Sequence, residues 1–276
     1  LLTFAIGAAS HGSQRWISIG PFSLQPSELA KIGIILFLAA YISSKSREMR
    51  QWKKMVIPFL FAIPIIVIVG IENLSTCIIL LAISFIMIFV ATPLLVPFVV
   101  IGLIGVAGAG GLLLTQGYRM ERITVWLDPA ASEKGHQTIQ GLYAIGSGGL
   151  FGKGLGQSMQ KLGFLPEANN DMIFSVICEE LGLFGALCVL ALFFALIWRF
   201  MVIAVNAPDL YGSMIVVGVI AHIGIQVFIN IAVATNTIPN TGIPLPFISY
   251  GGSSLVFMLL EMGLVLSVSR YINVKK

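Results

Sequence analysis

The sequence predicts an all-α protein, a polytopic bundle of transmembrane helices with one large extracytoplasmic loop. Hydrophobic residues make up 57% of the 276 residues and charged residues only 10%. A soluble domain has roughly a quarter of its residues charged, so this composition is typical of a membrane protein. The apolar residues also come in runs close to the ~20 residues that cross a bilayer. The net charge of +4 therefore indicates membrane topology, and we expect no nucleic-acid partner.

The first segment is expected to be the end of a membrane span. Residues 1–10 are apolar and begin without Met, so we expect preceding spans to be missing from this sequence. Residues 11–25 are predicted to form a polar loop in which Arg15 and Trp16 anchor the chain at the interface. Pro26 suits the first turn of the next helix. Within that helix Glu28 and Lys31 lie one turn apart and can form an ion pair.

A basic cluster after this helix sets the predicted orientation, because short basic loops face the cytoplasm. Its members are Lys45, Arg47, Arg50, Lys53 and Lys54. The other spans follow by alternation across the membrane. The predicted spans are residues 28–41, 55–71, 76–91, 94–114, 172–198, 211–234 and 247–269. We thus predict a single membrane domain over residues 1–276 with about seven complete spans.

The outer loop predicted over residues 115–170 is far longer than most connections, which makes it a candidate functional segment. Glycine is frequent from Gly146 to Gly163, and glycine lets a backbone approach a ligand closely. The segment is not a P-loop, because Lys153 is followed by Gly154 rather than Ser or Thr. A nest of backbone N–H groups with Lys153 could still hold a phosphate. A flexible re-entrant loop with turn glycines explains the pattern equally well.

Three acids lie at the start of the span that follows. Asp171 can cap the helix, or it can act as a general base at the boundary between water and lipid. Glu179 and Glu180 lie deeper in the same apolar run. Since two ionised, unpaired acids are very unfavourable there, at least one must be paired or protonated.

A second polar array lies towards the C-terminus. His222, Gln226 and Asn230 are spaced four residues apart and form one stripe on an apolar span. We predict that His222 pairs with Glu261 of the last span; the alternative is that each polar group satisfies backbone on a neighbouring helix. The segment 238–254 is rich in Pro and Gly, and such breakers are tolerated at membrane depth where the backbone lines a cavity. We therefore expect an outward-facing cavity bounded by this segment and the long loop.

Three blocks of sequence resemble the SEDS family, which comprises FtsW, RodA and SpoVE. The blocks are RWISIGPFSLQPSELAK (residues 15–31), AIGSGGLFGKGLGQSMQKLGFLPEANNDMIFSVICEELG (144–182) and IPNTGIPLPFISYGGSS (238–254). They occur in the family's order and cover nearly the whole chain. QKLGFLPEA and SYGGSS look more like FtsW or SpoVE than RodA.

The resemblance implies a peptidoglycan glycosyltransferase of the bacterial inner membrane that polymerises lipid II for cell division or sporulation. The family's catalytic acid follows its FLPE motif, which falls on Asp171 and favours the general base over the cap. An α-linked donor and a β-linked product require one displacement with inversion, in which cations hold the departing undecaprenyl pyrophosphate. The candidate substrate-binding residues are Lys153, Glu167, Arg15, Lys31, Gln140, Asn230, Ser249 and Tyr250.

The resemblance also implies a partner, a class B penicillin-binding protein with transpeptidase activity. A divalent cation, Mg²⁺ or Mn²⁺, is compatible with this chemistry near Asp171, although the sequence contains no metal-ligand cluster. Two departures from the family pattern are notable: Asn169-Asn170 replaces His-Thr, and Asn73 replaces an Asp. The rival interpretation is a lipid II flippase or other lipid transporter, which would need a route open to both leaflets.

Overall fold

The computed structural model describes residues 8–10, 13–19, 22–92, 102, 117–132 and 135–272. Six helices in this part of the chain are long and apolar enough to cross a membrane. They are α1 (Pro26–Ser44), α2 (Trp52–Glu72), α3 (Leu74–Ala91), α6 (Ile173–Val205), α7 (Leu210–Ala234) and α8 (Gly252–Arg270). They confirm the predicted helical membrane bundle and six of its predicted spans. The span predicted over residues 94–114 lies outside the described residues, apart from residue 102.

The N-terminal segment differs from the prediction. Residues predicted as the end of a span and a polar loop contain three short strands, β1 (Ala8–Ser10), β2 (Ser13–Ile19) and β3 (Phe22–Leu24). They pair antiparallel in the order β1-β2-β3. Ile17 and Ile19 alternate with Ser18 along β2, and β-branched residues in alternation favour a strand. Arg15 and Trp16 thus lie on a strand rather than in a loop.

The long outer segment also contains more structure than predicted. It holds α4 (Gly117–Leu127) and α5 (His136–Gly148). Between them is a short 3₁₀ turn, Pro129–Ala131, whose Ala131 amide donates to the Asp128 carboxylate at 3.2 Å. A second 3₁₀ turn, Gln160–Leu162, follows the glycine-rich stretch. The segment is therefore largely folded rather than an extended irregular loop.

The chain divides into two compact units, each built from separate parts of the sequence. The first unit comprises residues 1–98, 196–225 and 251–276. In it α1 contacts α3 and α8, and α2 packs on α3. Its buried apolar residues include Ile35 and Met87. Gly218 fits between these two side chains, since a Cβ there would lie 2.6 Å from Ile35 and 3.0 Å from Met87.

Both predicted side-chain pairs are present in the first unit. The Lys31 ammonium lies 2.8 Å from Glu28 Oε1, and both residues are buried. His222 Nδ1 lies 2.9 Å from Glu261, also buried. Pairing is what makes such groups tolerable inside a bundle.

The second unit comprises residues 99–195 and 226–250. Its main irregularity is a break in α6 at Gly182, whose φ of 67° and ψ of −167° are not helical. The glycine-rich stretch after α5 fills this break: the amides of Lys153 and Gly154 donate to the carbonyls of Glu179 and Glu180 at 2.9 Å. The backbone groups released by the break are thereby satisfied.

Candidate active site

Asp171 lies in a short segment held firmly at its backbone. Three consecutive carbonyls each accept a hydrogen bond: Asn169 from the Tyr250 amide (2.8 Å), Asn170 from the Ser249 hydroxyl (2.6 Å) and Asp171 from the Asn230 side-chain amide (2.8 Å). The Asp171 residue is only 8% exposed. The donors come from α7 and from the Pro- and Gly-rich segment before α8. They fix the position from which the carboxylate projects.

The carboxylate itself is approached by Gln137 of α5. The Gln137 amide nitrogen lies 3.4 and 3.5 Å from the two Asp171 oxygens. The Gln137 oxygen accepts from the Asn240 side-chain amide at 3.0 Å, which orients the Gln137 amide with its N–H₂ towards Asp171. The Arg122 guanidinium in turn donates to the Asn240 carbonyl at 3.0 Å. A connected set of polar groups therefore surrounds one face of Asp171.

The environment of Asp171 raises its pKa to about 6, from an ordinary value of 3.8. Burial is the largest cause, followed by the negative charge of Glu167. The Asp171 amide, the Gln137 side chain and the charge of Arg122 oppose this rise. A carboxylate with a pKa near 6 is ionised at neutral pH yet holds a proton far better than an ordinary Asp, which suits a general base.

The position of the helix start bears on the capping alternative for Asp171. Helix α6 begins at Ile173, so the cap position is Met172 and Asp171 precedes it. The side-chain donor on the Asp171 carboxylate is Gln137. These oxygens are consequently available for chemistry rather than committed to the first turn of the helix.

Glu179 and Glu180 are both paired, as expected for acids inside an apolar helix. The Glu179 carboxylate accepts from the Lys153 ammonium at 2.6 Å and from the Ser158 hydroxyl at 2.5 Å. The Glu180 carboxylate accepts from the Lys161 ammonium at 2.5 Å and from the Gly156 amide at 3.0 Å. The N–H groups and the lysine of the predicted phosphate nest are thus bonded to these two glutamates.

The structure places the other predicted site residues as follows. Lys153 is paired with Glu179, not with Asp171. Glu167 is exposed and accepts from the Asn170 side chain. Gln140 is half-buried on α5, one turn after Gln137, and Tyr250 is exposed. Lys31 and Arg15 belong to the first unit, where Lys31 is paired with Glu28, and the Arg15 side chain lies outside the described part of the chain.

Sequence reasoning did not single out Gln137, Asn240 or Arg122. Gln137 and Asn240 are separated by 103 residues, so no local spacing connects them. The one available signal was the pair of glutamines, Gln137 and Gln140, one turn apart on a helix. Asn73, the departure from the family Asp, caps α3 by accepting from the Thr76 amide at 3.1 Å.

The described residues contain no group of three or more His, Cys, Asp or Glu side chains that could hold a metal ion. At Asp171 the neighbouring carboxylate is Glu167, whose charge raises the Asp171 pKa. A cation between them would relieve that repulsion, and Mg²⁺ is often bound by one or two carboxylates together with substrate phosphates. The two acids therefore fit a substrate-bound cation rather than a closed protein site.

Together the fold and site define a multi-pass helical membrane protein with a buried, firmly held carboxylate just before one of its spans. The family model for the FtsW/RodA/SpoVE cell cycle proteins matches residues 1–274, and the chain belongs to this family. The predicted resemblance is thus confirmed.

Named relatives agree with the family match. Stage V sporulation protein E of Bacillus subtilis (strain 168) is 47% identical over 272 residues, which cover 96% of this chain and 74% of the relative. A "Probable peptidoglycan glycosyltransferase FtsW" of Geobacter sp. (strain M18) is 37% identical over 275 residues, covering 98% and 75%. The predicted likeness to FtsW or SpoVE agrees with these names.

Solved structures are similar along almost the entire chain. One is a chain from a peptidoglycan synthase complex that coordinates polymerization and crosslinking, with a TM-score of 0.80, 28% identity, and coverage of 99% of this chain and 78% of that one. Another is the rod shape determining protein RodA of Thermus thermophilus, with a TM-score of 0.69, 29% identity, and coverage of 98% and 74%.

Proposed function

We propose that this chain is a peptidoglycan glycosyltransferase that polymerises lipid II at the outer face of the bacterial cytoplasmic membrane, with Asp171 as the general base. The observation that carries the proposal is the geometry of Asp171, a buried carboxylate with a pKa of about 6 on a segment anchored by three hydrogen bonds. Family membership and the names of the relatives support the substrate class.

The proposed reaction is a single displacement at the anomeric carbon of the growing glycan. Asp171 takes the proton of the 4-hydroxyl of the incoming GlcNAc as the oxygen attacks. The new carbon–oxygen bond forms while the bond to the lipid pyrophosphate breaks, and the pyrophosphate carries away the electron pair. Because the attack is in line, the α-linked donor gives a β-linked product.

Positive charge must stabilise the departing pyrophosphate. Among the basic residues of the second unit whose side chains the structure describes, Arg122 carries a charge that acts on Asp171, so we add it to the predicted cations. Lys153 and Lys31 are already paired with Glu179 and Glu28. A pyrophosphate could recruit either one only by competing with its glutamate.

The predicted binding residues fall into two groups: those that hydrogen-bond to the Asp171 segment and those that are accessible to a substrate. Asn230 and Ser249 hold the Asp171 segment and therefore position the base. Glu167, Gln140 and Tyr250 are at least partly accessible, which suits them to contact sugar. A Mg²⁺ or Mn²⁺ ion bound with the substrate would be held by Asp171 and Glu167, and its chemistry would be to neutralise pyrophosphate charge.

The partner and cellular role are also part of the proposal. The similarity to a chain of a peptidoglycan synthase complex supports a class B penicillin-binding protein as the partner that crosslinks the glycan. The similarity to stage V sporulation protein E and FtsW supports a role for this protein in sporulation or cell division.

The test is polymerisation of lipid II by the purified protein with its transpeptidase partner. Asp171→Asn should abolish glycan formation, because an amide cannot accept the hydroxyl proton. The matched control is Asp128→Asn, which changes an exposed acid of the same outer segment and should leave the rate nearly unchanged. Wild-type polymer yield from Asp171→Asn would refute Asp171 as the base.

The rate should also depend on pH in the direction set by Asp171. Since the base works only when ionised, kcat/KM should rise with pH through about 6, the pKa given by its surroundings. A rate profile that is flat from pH 5 to 8 would contradict the assignment even if Asp171→Asn were inactive for another reason.

A further inference from the structure

Five large apolar side chains are exposed in the glycine-rich segment that follows α5. The exposed fraction is 82% at Phe151 and 76% at Leu155. We call the set the apolar ledge; its members are Leu150, Phe151, Leu155, Met159 and Leu162. A group of large apolar side chains exposed in one segment marks a surface that contacts lipid, a ligand or another protein.

The polar groups of the same segment are directed onto α6. Lys153 and Lys161 are bonded to Glu179 and Glu180. The Gly156 amide donates to Glu180 at 3.0 Å. The segment is therefore amphipathic, with its charges satisfied within the protein and its large apolar side chains on the exposed side.

Backbone hydrogen bonds tie the ledge to a defined level of α6. The Leu183 amide donates to the Gly149 carbonyl at 2.9 Å, and the Phe184 amide donates to the Leu150 carbonyl at 3.1 Å. Leu183 and Phe184 are also the first exposed large apolar residues of α6, which continue along it to Val205. That stretch of about 23 residues is about 34 Å long as a helix, enough to fill the ~30 Å hydrocarbon core.

We propose that the apolar ledge inserts into the lipid bilayer, at the boundary between headgroups and acyl chains where the α6 span begins. We choose lipid as the partner of this surface because the ledge adjoins the exposed apolar residues of α6 at the level of Phe184. The two together form one continuous apolar surface along the span. The two lysines agree with this depth: they are paired with Glu179 and Glu180, yet their side chains remain 37% and 29% exposed, as basic side chains at a membrane interface do. This proposal does not depend on the chemistry of Asp171.

The test measures the depth of single labelled cysteines in the protein reconstituted in phospholipid nanodiscs. A Cys188→Ser background removes the exposed native thiol, while Cys77 and Cys178 are buried. A fluorescent label is placed at Phe151→Cys, with Phe184→Cys as the membrane control and Ala131→Cys as the exposed control outside the ledge. Quenching is then compared between lipids that carry a nitroxide near the top of the acyl chain and a water-soluble nitroxide.

The label at Phe151 should be quenched by the nitroxide lipid within a factor of about two of the label at Phe184. The label at Ala131 should respond to the water-soluble quencher instead. If the Phe151 variant does not fold, Leu155→Cys provides the same measurement. Quenching at the ledge only from water overturns the proposal, and protection from both quenchers overturns it in favour of a protein contact.

Discussion

Burial of Asp171 raises the pKa of its carboxyl, which suits a general base. The same burial lowers the stability of the folded protein at neutral pH, where the carboxyl is ionised. The protein holds the Asp171 carboxyl at a pKa of about 6, so ionisation is harder in the folded protein than in the unfolded chain. The carboxyl therefore contributes stability that is fully present below pH 3.8 and is lost as the pH rises through about 6. At neutral pH the ionised form costs the fold up to about 3 kcal/mol.

Replacing this carboxyl should consequently stabilise the protein. We expect Asp171→Asn to raise the apparent Tm at pH 7.5 and to leave it nearly unchanged at pH 4, because only the ionised acid is costly. Thermal unfolding of the detergent-solubilised protein at the two pH values measures this. Asp128→Asn should show no such gain, and a lower Tm for Asp171→Asn at pH 7.5 would mean that its role is structural.

The lysine predicted to bind phosphate offers a second test at the residue scale. Lys153→Met should destabilise the protein, because it leaves Glu179 inside α6 without its cation. Adding Glu179→Gln should recover part of the loss, since the amide still accepts from Ser158 without carrying a charge. The comparison needs unfolding midpoints and polymerisation rates of both variants.

The double variant separates the two possible duties of Lys153. If Lys153 acts only as the partner of Glu179, the rate should recover together with stability. A stable but inactive Lys153→Met/Glu179→Gln protein would instead show that the ammonium serves the pyrophosphate.

At the residue scale, the sequence could single out candidate groups but not all of their partners. Asp171 was found from its motif, and the pairs Glu28–Lys31 and His222–Glu261 followed from helical spacing and from the cost of burying charge. The bond between Lys153 and Glu179 could not be foreseen, because it depends on how the glycine-rich stretch folds back onto α6. The same holds for Gln137, which reaches Asp171 from a helix that the prediction did not contain.

At the scale of elements, the break in α6 depends on one glycine. Gly182 has a φ of +67°, and a Cβ on it would lie 2.4 Å from the Gly152 nitrogen and 2.6 Å from the Leu150 carbonyl. Because these are backbone atoms, they cannot move aside to make room for a Cβ, whereas the end of a flexible side chain could. The break and the loop folded against it should therefore tolerate only glycine here.

Gly182→Ala is accordingly expected to destabilise the protein by at least about 2 kcal/mol, from the left-handed backbone and the clash together. Gly146→Ala is the matched control, since a Cβ there meets nothing within 4 Å and its position in α5 should gain up to about 1 kcal/mol. Unfolding midpoints of both variants measure the difference. Equal midpoints would show that α6 does not need its break.

Element prediction succeeded where one physical rule dominates. The apolar spans were found because their length is set by the bilayer, and a short turn at residues 206–209 separates α6 from α7. The last helix begins at Gly252 rather than near residue 247, because the Pro- and Gly-rich chain before it holds the Asp171 segment. The small sheet and helices α4 and α5 were missed, because polar stretches lack the long apolar runs on which the prediction relied.

At the scale of the whole molecule, function requires that Asp171 face the side where lipid II is polymerised. The positive-inside rule places the basic cluster that includes Lys45 and Lys54 in the cytoplasm. From the alternation of spans that the sequence indicates, we predict that the turn at residues 206–209 lies in the cytoplasm and the segment with α4 and α5 outside.

This orientation can be tested with a membrane-impermeant maleimide on spheroplasts, using single cysteines in the Cys188→Ser background. Ala131→Cys should react in intact spheroplasts, whereas Ala207→Cys should react only after the membrane is permeabilised. The reverse pattern would place Asp171 on the cytoplasmic side, where the outer pool of lipid II is out of reach. Such a result would contradict polymerisation at the outer face even if the carboxylate behaved as expected, because the base and its substrate would lie on opposite sides of the bilayer.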